Sequence, residues 1–199
     1  MSRLNPRFWT RKRARWQRLA DELDGKYIPG RGIRKSDTVA APCKNWTILF
    51  DCPKRGKRRY TRVRAAYVNR DSFTFRIYRR RAYSGIQKKF GLEDIEIGIP
   101  EFDAPFIIQS NDPRKVKLLL KPERIREIIG WQPEIWLHNQ SDPNWVTDTW
   151  REGVSELHFE VPGVIQNLQR LHDLYQLFEE ILWQLCQVGS AYKDNPLSR

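Results

Sequence analysis

Acidic side chains are scarce in the first half of the chain. Residues 1–90 hold 6 Asp and Glu against 26 Lys and Arg, a net charge of +20. Residues 91–199 hold 18 acids against 10 bases, a net of −8. Cysteine is also rare. Cys43, Cys52 and Cys186 are too few, and odd in number, for a disulfide framework. A reduced, cytoplasmic setting is therefore expected. No apolar run approaches the roughly 18 residues that cross a membrane as a helix. Residues 1–6 contain no apolar h-region, so no secretory signal is expected. Histidine is confined to His138, His158 and His172. HExxH, GxSxG, CxxC and Walker patterns are all missing. The expectation is no catalytic constellation, no metal site and no cofactor. Cys43 beside a distant histidine is the one thiol-enzyme reading left, since nucleophilic catalysis needs a base next to the thiol. Cys43 and Cys52 are nine residues apart but have no second Cys/His pair to complete a zinc site.

What is present suffices for a core. Of 199 residues, 40% are hydrophobic and 12% aromatic, which excludes a wholly disordered chain. The pattern reads as a single α+β domain over 1–199, with a mostly antiparallel sheet. A basic amphipathic helix is expected over 7–24, with Trp9, Trp16, Leu19 and Leu23 on one side and arginines on the other. Such a helix can dock on the protein's own sheet or lie on an anionic membrane. Strands are expected over 38–41, 45–52, 59–69 and 72–80. Short strands follow over 95–99 and 106–108. Asp112-Pro113 then starts a helix, Lys121-Pro122 interrupts it, and Ile125, Ile128 and Ile129 continue its apolar side. Strands over 134–139 and 156–161 precede a long C-terminal helix over 164–191 packed on the sheet, with a frayed tail over 192–199.

The strands over 59–69 and 72–80 carry a register argument. Val63, Ala65 and Tyr67 alternate with Arg62 and Arg64, and Phe73, Phe75 and Ile77 alternate with Arg76, Tyr78 and Arg80. A three-residue loop, 70–72, would pair them as a hairpin with both apolar sets on one face. Arg62 would then oppose Arg80, which calls for an anion or an acidic side chain nearby. The same geometry brings the basic loop CPKRGKRR (52–59) and the cluster Arg79-Arg80-Arg81 to one end of the sheet. The candidate anion-contacting set is Lys54, Arg55, Lys57, Arg58, Arg62, Arg80 and Arg81, with Tyr60 and Tyr78 available to stack on bases. The alternative is a solvated basic rim that keeps the sheet soluble.

Three weaker signals remain. The acids of EDIEIGIPEFD (93–103) suggest salt bridges to the Arg-rich strand more than a cation site. Gly30-Arg31-Gly32 lacks the rest of a phosphate loop and reads as a turn. Trp131, Trp136, Trp145 and Trp150 either form a stacking platform or anchor a meander to the core.

YTRVRAAYVNRDSFTFRIYRR (60–80), GLEDIEIGIPEFDAPFIIQSNDPRKVKLL (91–119) and the C-terminal VPGVIQNLQRLHDLYQLFEEILWQLCQVGSAY together resemble a family of uncharacterised bacterial proteins, a domain of unknown function. Relatives carry similar FD..F.IQ.ND..KV..LL stretches, sometimes behind membrane helices. The resemblance covers about two thirds of the chain and implies no activity, catalytic residue or cofactor. Taken together, the expectation is a non-catalytic binding or interaction module that presents a basic surface to nucleic acid or an acidic protein partner. Peripheral membrane contact through the N-terminal helix and homo-oligomerisation through the oppositely charged halves are the alternatives.

Overall fold

The computed structural model describes residues 6–30, 36–80, 93–140 and 153–193. The side chains of residues 6–12, Glu93 and Gln140 are outside that description. The fold is α+β. Its helices are α1 (Pro6–Glu22), α2 (Pro100–Asp103), α3 (Pro113–Leu119), α4 (Glu123–Trp131) and α5 (Leu168–Gln187). Its strands are β1 (Lys26–Ile28), β2 (Thr38–Cys43), β3 (Trp46–Asp51), β4 (Lys54–Arg55), β5 (Arg58–Val68), β6 (Phe75–Arg79), β7 (Glu93–Asp94), β8 (Phe106–Ser110), β9 (Trp136–Gln140) and β10 (Val154–Pro162). They form one sheet in the order β1-β2-β3-β5-β10-β9-β6-β8-β7, with β4 folded back on β5. All of these pairings are antiparallel.

Period-two alternation decides which face each side chain meets. The pairings Phe50↔Val63↔Phe159↔Leu137↔Ile77↔Ile108 run an apolar row across six strands. These residues are buried, and they join Trp16 and Leu19 of α1, Val116 of α3, Ile128 of α4 and Leu174 and Phe178 of α5 in one core. Helices thus cover the apolar face. Burying a side chain of this size contributes roughly 1.5–3 kcal/mol.

β5 and β6 do not form the expected hairpin. β10 pairs with β5 from Val154↔Val68 to Pro162↔Tyr60, and β9 lies between β10 and β6. Arg62 and Arg80, expected to oppose each other, are therefore three strand steps apart. Both apolar sets do face the same core, because alternation specifies the face and not the neighbour. One buried side chain ties the start of β6 to β9. Asn139 accepts from the Phe75 N–H at 2.7 Å and donates to the Phe73 carbonyl at 2.7 Å and the Tyr67 hydroxyl at 2.8 Å.

Local chemistry accounts for the helix ends. The Asp112 carboxylate caps α3 by accepting from the Arg114 and Lys115 N–H groups, with Pro113 at the first helical position. α5 is shorter than the expected 164–191. Asn167 caps its start, and Gly189 (φ +75°) closes its end while the Ser190 N–H reaches back to the Leu185 carbonyl. α1 docks on the sheet, and Trp16, Leu19 and Ala20 are fully buried. These three side chains are committed to the core, and that of Trp9, expected on the same side, lies outside the described side chains. No helix among the described residues is long and apolar enough to cross a membrane.

The acidic segment 93–103 also departs from expectation. Only Glu93–Asp94 forms a strand, and Gly98 (φ +85°) turns the chain into α2. Asp103 accepts the N–H groups of Ile97, Gly98 and Ile99 instead of bridging to an arginine, and Asp94 accepts from the Gln109 amide at 2.9 Å.

Candidate anion-contacting hairpin and the charged face of the sheet

The loop 52–59 folds into a hairpin tip. Arg55 pairs with Arg58 and Lys54 with Arg59, and Gly56 (φ +59°) takes the first of the two turn positions, where glycine alone is unstrained. Lys54, Arg55, Lys57 and Arg58 are all exposed. Cations directly opposed across an antiparallel pair destabilise it by roughly 0.2–1 kcal/mol. This hairpin sets two such pairs side by side. Arg55 has a partial outlet. Its Nη1 donates to Glu160 Oε1 at 2.5 Å, and its guanidinium lies 5.4 Å from the centre of the Tyr60 ring. Arg59 is half-buried and donates to the Cys52 carbonyl. Lys54, Lys57 and Arg58 form no ion pair with any described residue.

The other candidate residues are placed differently. Arg62 is only 8% exposed. Its Nε and Nη2 grip Asp51 Oδ1 and Oδ2 at 2.8 and 2.5 Å. An acid beside Arg62 was expected, and Asp51 supplies it. The consequence is that Arg62 is withdrawn from any anion-contacting surface. Tyr78 is also buried, 5.1 Å from the Trp136 ring centre, so it is not open to stack on a base. Tyr60 is half-buried under Arg55. Arg80 is exposed and donates to the Asp103 and Ala104 carbonyls at 3.4 and 3.3 Å. It lines a cavity of about 490 Å³ together with Glu96, Gly98, Pro100 and Asp103. Arg81 lies outside the described residues. β6 ends where β5 begins, so Arg80 and the hairpin do lie at one end of the sheet. β10 and β9 separate them, a gap of three strand steps or roughly 14 Å.

Opposite the helices, the sheet carries a row of polar groups that the sequence reading did not assemble. The pairings Arg64↔His158↔His138↔Arg76↔Gln109↔Asp94 cross six strands in one line. Arg64 Nη2 donates to Asp51 Oδ2 at 3.1 Å, and its Nη1 lies 3.7 Å from Glu156 Oε2. His158 Nδ1 sits 3.1 Å from Glu156 Oε1, and the His138 and His158 rings are 4.8 Å apart. Glu156 is 3% exposed. Burial pushes its carboxyl up to about 7, against the pull of Arg64 and Arg62. Burial also brings His158 down to about 3, reinforced by Arg62 and Arg64. The signal was legible in β10, where Glu156, His158 and Glu160 alternate with Leu157, Phe159 and Val161.

Acidic and basic halves do meet inside the molecule. Arg55–Glu160, Arg64–Glu156 and Lys44–Glu179 all cross from one half to the other. Cys43 is buried, which pushes its thiol up to about 11, the wrong direction for a nucleophile at neutral pH. Of the four clustered tryptophans, Trp136 is half-buried beside Tyr78, and Trp131 is 52% exposed with the Arg124 guanidinium 4.8 Å from its ring centre. Trp145 and Trp150 lie outside the described residues.

No protein-family model matches the chain, and no curated protein matches it. Among solved structures, the fold is similar to that of the mycobacterial trehalose monomycolate transport factor A, TtfA. The TM-score is 0.55 at 10% sequence identity, over 87% of this chain and 93% of that one. At that identity the likeness is one of fold.

Proposed function

We propose that this protein is a non-catalytic binding module that contacts a phosphate-bearing polyanion through the tip of the β4–β5 hairpin. One observation carries the reading. The tip opposes cation to cation in two adjacent pairs and leaves Lys54, Lys57 and Arg58 without an acidic partner among the described residues. That arrangement costs folding stability, so its use lies outside the fold. An incoming polyanion would relieve the repulsion and release counterions. Arg55 and the exposed Arg80 extend the same end of the sheet. With Tyr78 buried and Tyr60 beneath Arg55, the contact is made by charge and not by base stacking, so it discriminates little between sequences. The likeness to a transport factor concerns the fold, and the reading takes no cargo or partner from it.

The test is a fluorescence anisotropy titration with a labelled single-stranded oligonucleotide, using the wild type and a K54Q/R55Q/K57Q/R58Q variant. Polyglutamate is added as a competitor. Tight binding by the wild type, lost in the variant and resistant to polyglutamate, supports the proposal. Displacement by polyglutamate at equal charge concentration would point to an acidic protein partner instead. Equal affinity of the two proteins would remove the hairpin from the account.

A further inference from the structure

A second surface lies at the far end of the sheet. The turn between β2 and β3, the end of β5 and the end of α5 meet there. The Asn45 amide donates to the Lys193 carbonyl at 2.5 Å, the Tyr192 N–H bonds the Val68 carbonyl, and the Arg70 N–H bonds the Ser190 carbonyl. These contacts hold two large aromatic side chains out in solvent, Trp183 at 37% and Tyr192 at 42% exposure. Cations crowd both. Lys44 and Lys193 place their ammonium groups 4.9 and 4.5 Å from the centre of the Trp183 ring, and the Arg70 guanidinium is 5.1 Å from the centre of the Tyr192 ring. Of the acids nearby, Glu179 pairs with Lys44 at 3.3 Å and Asp71 pairs with Lys115. Lys193 and Arg70 form no ion pair with a described residue.

We infer that this end of the molecule is a docking surface for an anionic lipid bilayer, with Trp183 and Tyr192 seated at headgroup depth and Lys44, Lys193 and Arg70 facing the lipid phosphates. The chemistry is that of interfacial belts, where amphipathic rings sit between hydrocarbon and water and long cationic side chains reach the headgroups. The rings already carry the chain's own cations, which leaves them poor platforms for stacking bases. Each cation near an anionic membrane strengthens attachment by roughly fivefold. This surface is separate from that of α1, whose Trp16, Leu19 and Ala20 are buried. It is also independent of the hairpin, since β5 runs the length of the sheet between the two.

Co-sedimentation of the full chain with vesicles tests the inference. One set is phosphatidylcholine, and the other is phosphatidylcholine with about one third phosphatidylglycerol. The wild type is expected to sediment with the second set only. W183A/Y192A should lower the partition coefficient about tenfold, and K44Q/K193Q/R70Q by a similar or larger factor. The hairpin variant K54Q/R55Q/K57Q/R58Q should keep at least half of the binding. Thermal melting verifies that the variants remain folded, as expected for exposed positions. A wild type that ignores anionic vesicles would overturn the inference. So would binding that W183A/Y192A leaves unchanged, or binding lost in the hairpin variant and kept in W183A/Y192A.

Discussion

Arg58 and Arg62 stand four residues apart on one strand and meet opposite fates. Arg58 is exposed and faces Arg55 across the hairpin, with no acid in place among the described residues. Arg62 is buried, clamped by both oxygens of Asp51, and joined there by Arg64. The difference comes from the neighbouring strand. Where β3 runs alongside β5, it supplies an aspartate. Where β4 runs alongside, it supplies only cations. The net charge of the basic half therefore overstates what is free to act, and three cations without an acidic partner among the described residues, Lys54, Lys57 and Arg58, stand together at the hairpin tip.

Asp51→Ala should show the largest effect. It leaves two buried guanidinium groups without their shared carboxylate. Breaking a buried pair in this way costs about 3–5 kcal/mol. Urea denaturation should record a loss of that order, whereas a change below about 1 kcal/mol would mean the buried half of the comparison is wrong. The hairpin substitution K54Q/R55Q/K57Q/R58Q should do the reverse. Affinity for a single strand should fall about a hundredfold at low salt, with the denaturation midpoint barely moved.

The Glu156–His158 pair sharpens the buried side through pH. A carboxyl raised to about 7 makes the folded state hold a proton that the unfolded chain has released, so its contribution to stability falls as pH rises from about 4.5 to 7. A histidine lowered to about 3 does the opposite, and its contribution grows as pH rises from about 3 to 6.5. Between about 4.5 and 6.5 the pair holds one proton in both states, and the two slopes cancel. E156Q should uncover the rise and H158N the fall, each a few kcal/mol across its window at roughly 1.4 kcal/mol per pH unit. Identical pH–stability profiles for both variants would contradict the assignment. The smallest effect is expected of Arg58→Gln. Relieving one opposed pair should raise stability by about 0.5 kcal/mol at low salt, and the gain should vanish at high salt.

Much of the fold was legible in the sequence. Alternation placed Val63, Ala65, Tyr67, Phe75 and Ile77 on the core face correctly. The Asp112-Pro113 cap and the break at Lys121-Pro122 fell where expected, since both are local chemistry. Strand order was not legible. Nothing within 59–80 announces that β10, nearly a hundred residues later, takes the place beside β5. Loop length favoured the near partner, while the continuous ladder from Val154 to Pro162 and the Asn139 bonds favour the far one. The same error hid the candidate site's division. Arg62 and Arg64 look like the arginines of the hairpin in sequence. They are set apart by Asp51 and by Glu156, whose position depends on that strand order. The basic composition of the tip, by contrast, was legible in CPKRGKRR, which was expected as a loop; that it folds back as β4 on β5 was not.

The most direct test of the account is the salt dependence of single-strand binding, measured by anisotropy for the wild type and the hairpin variant between about 50 and 200 mM salt. Wild-type binding should show a logarithmic slope against salt steeper than the variant's by roughly 3, the contribution of four lost phosphate contacts. Parallel slopes, or wild-type binding absent at the lowest salt, would contradict the claim that the hairpin's cations serve an anionic partner.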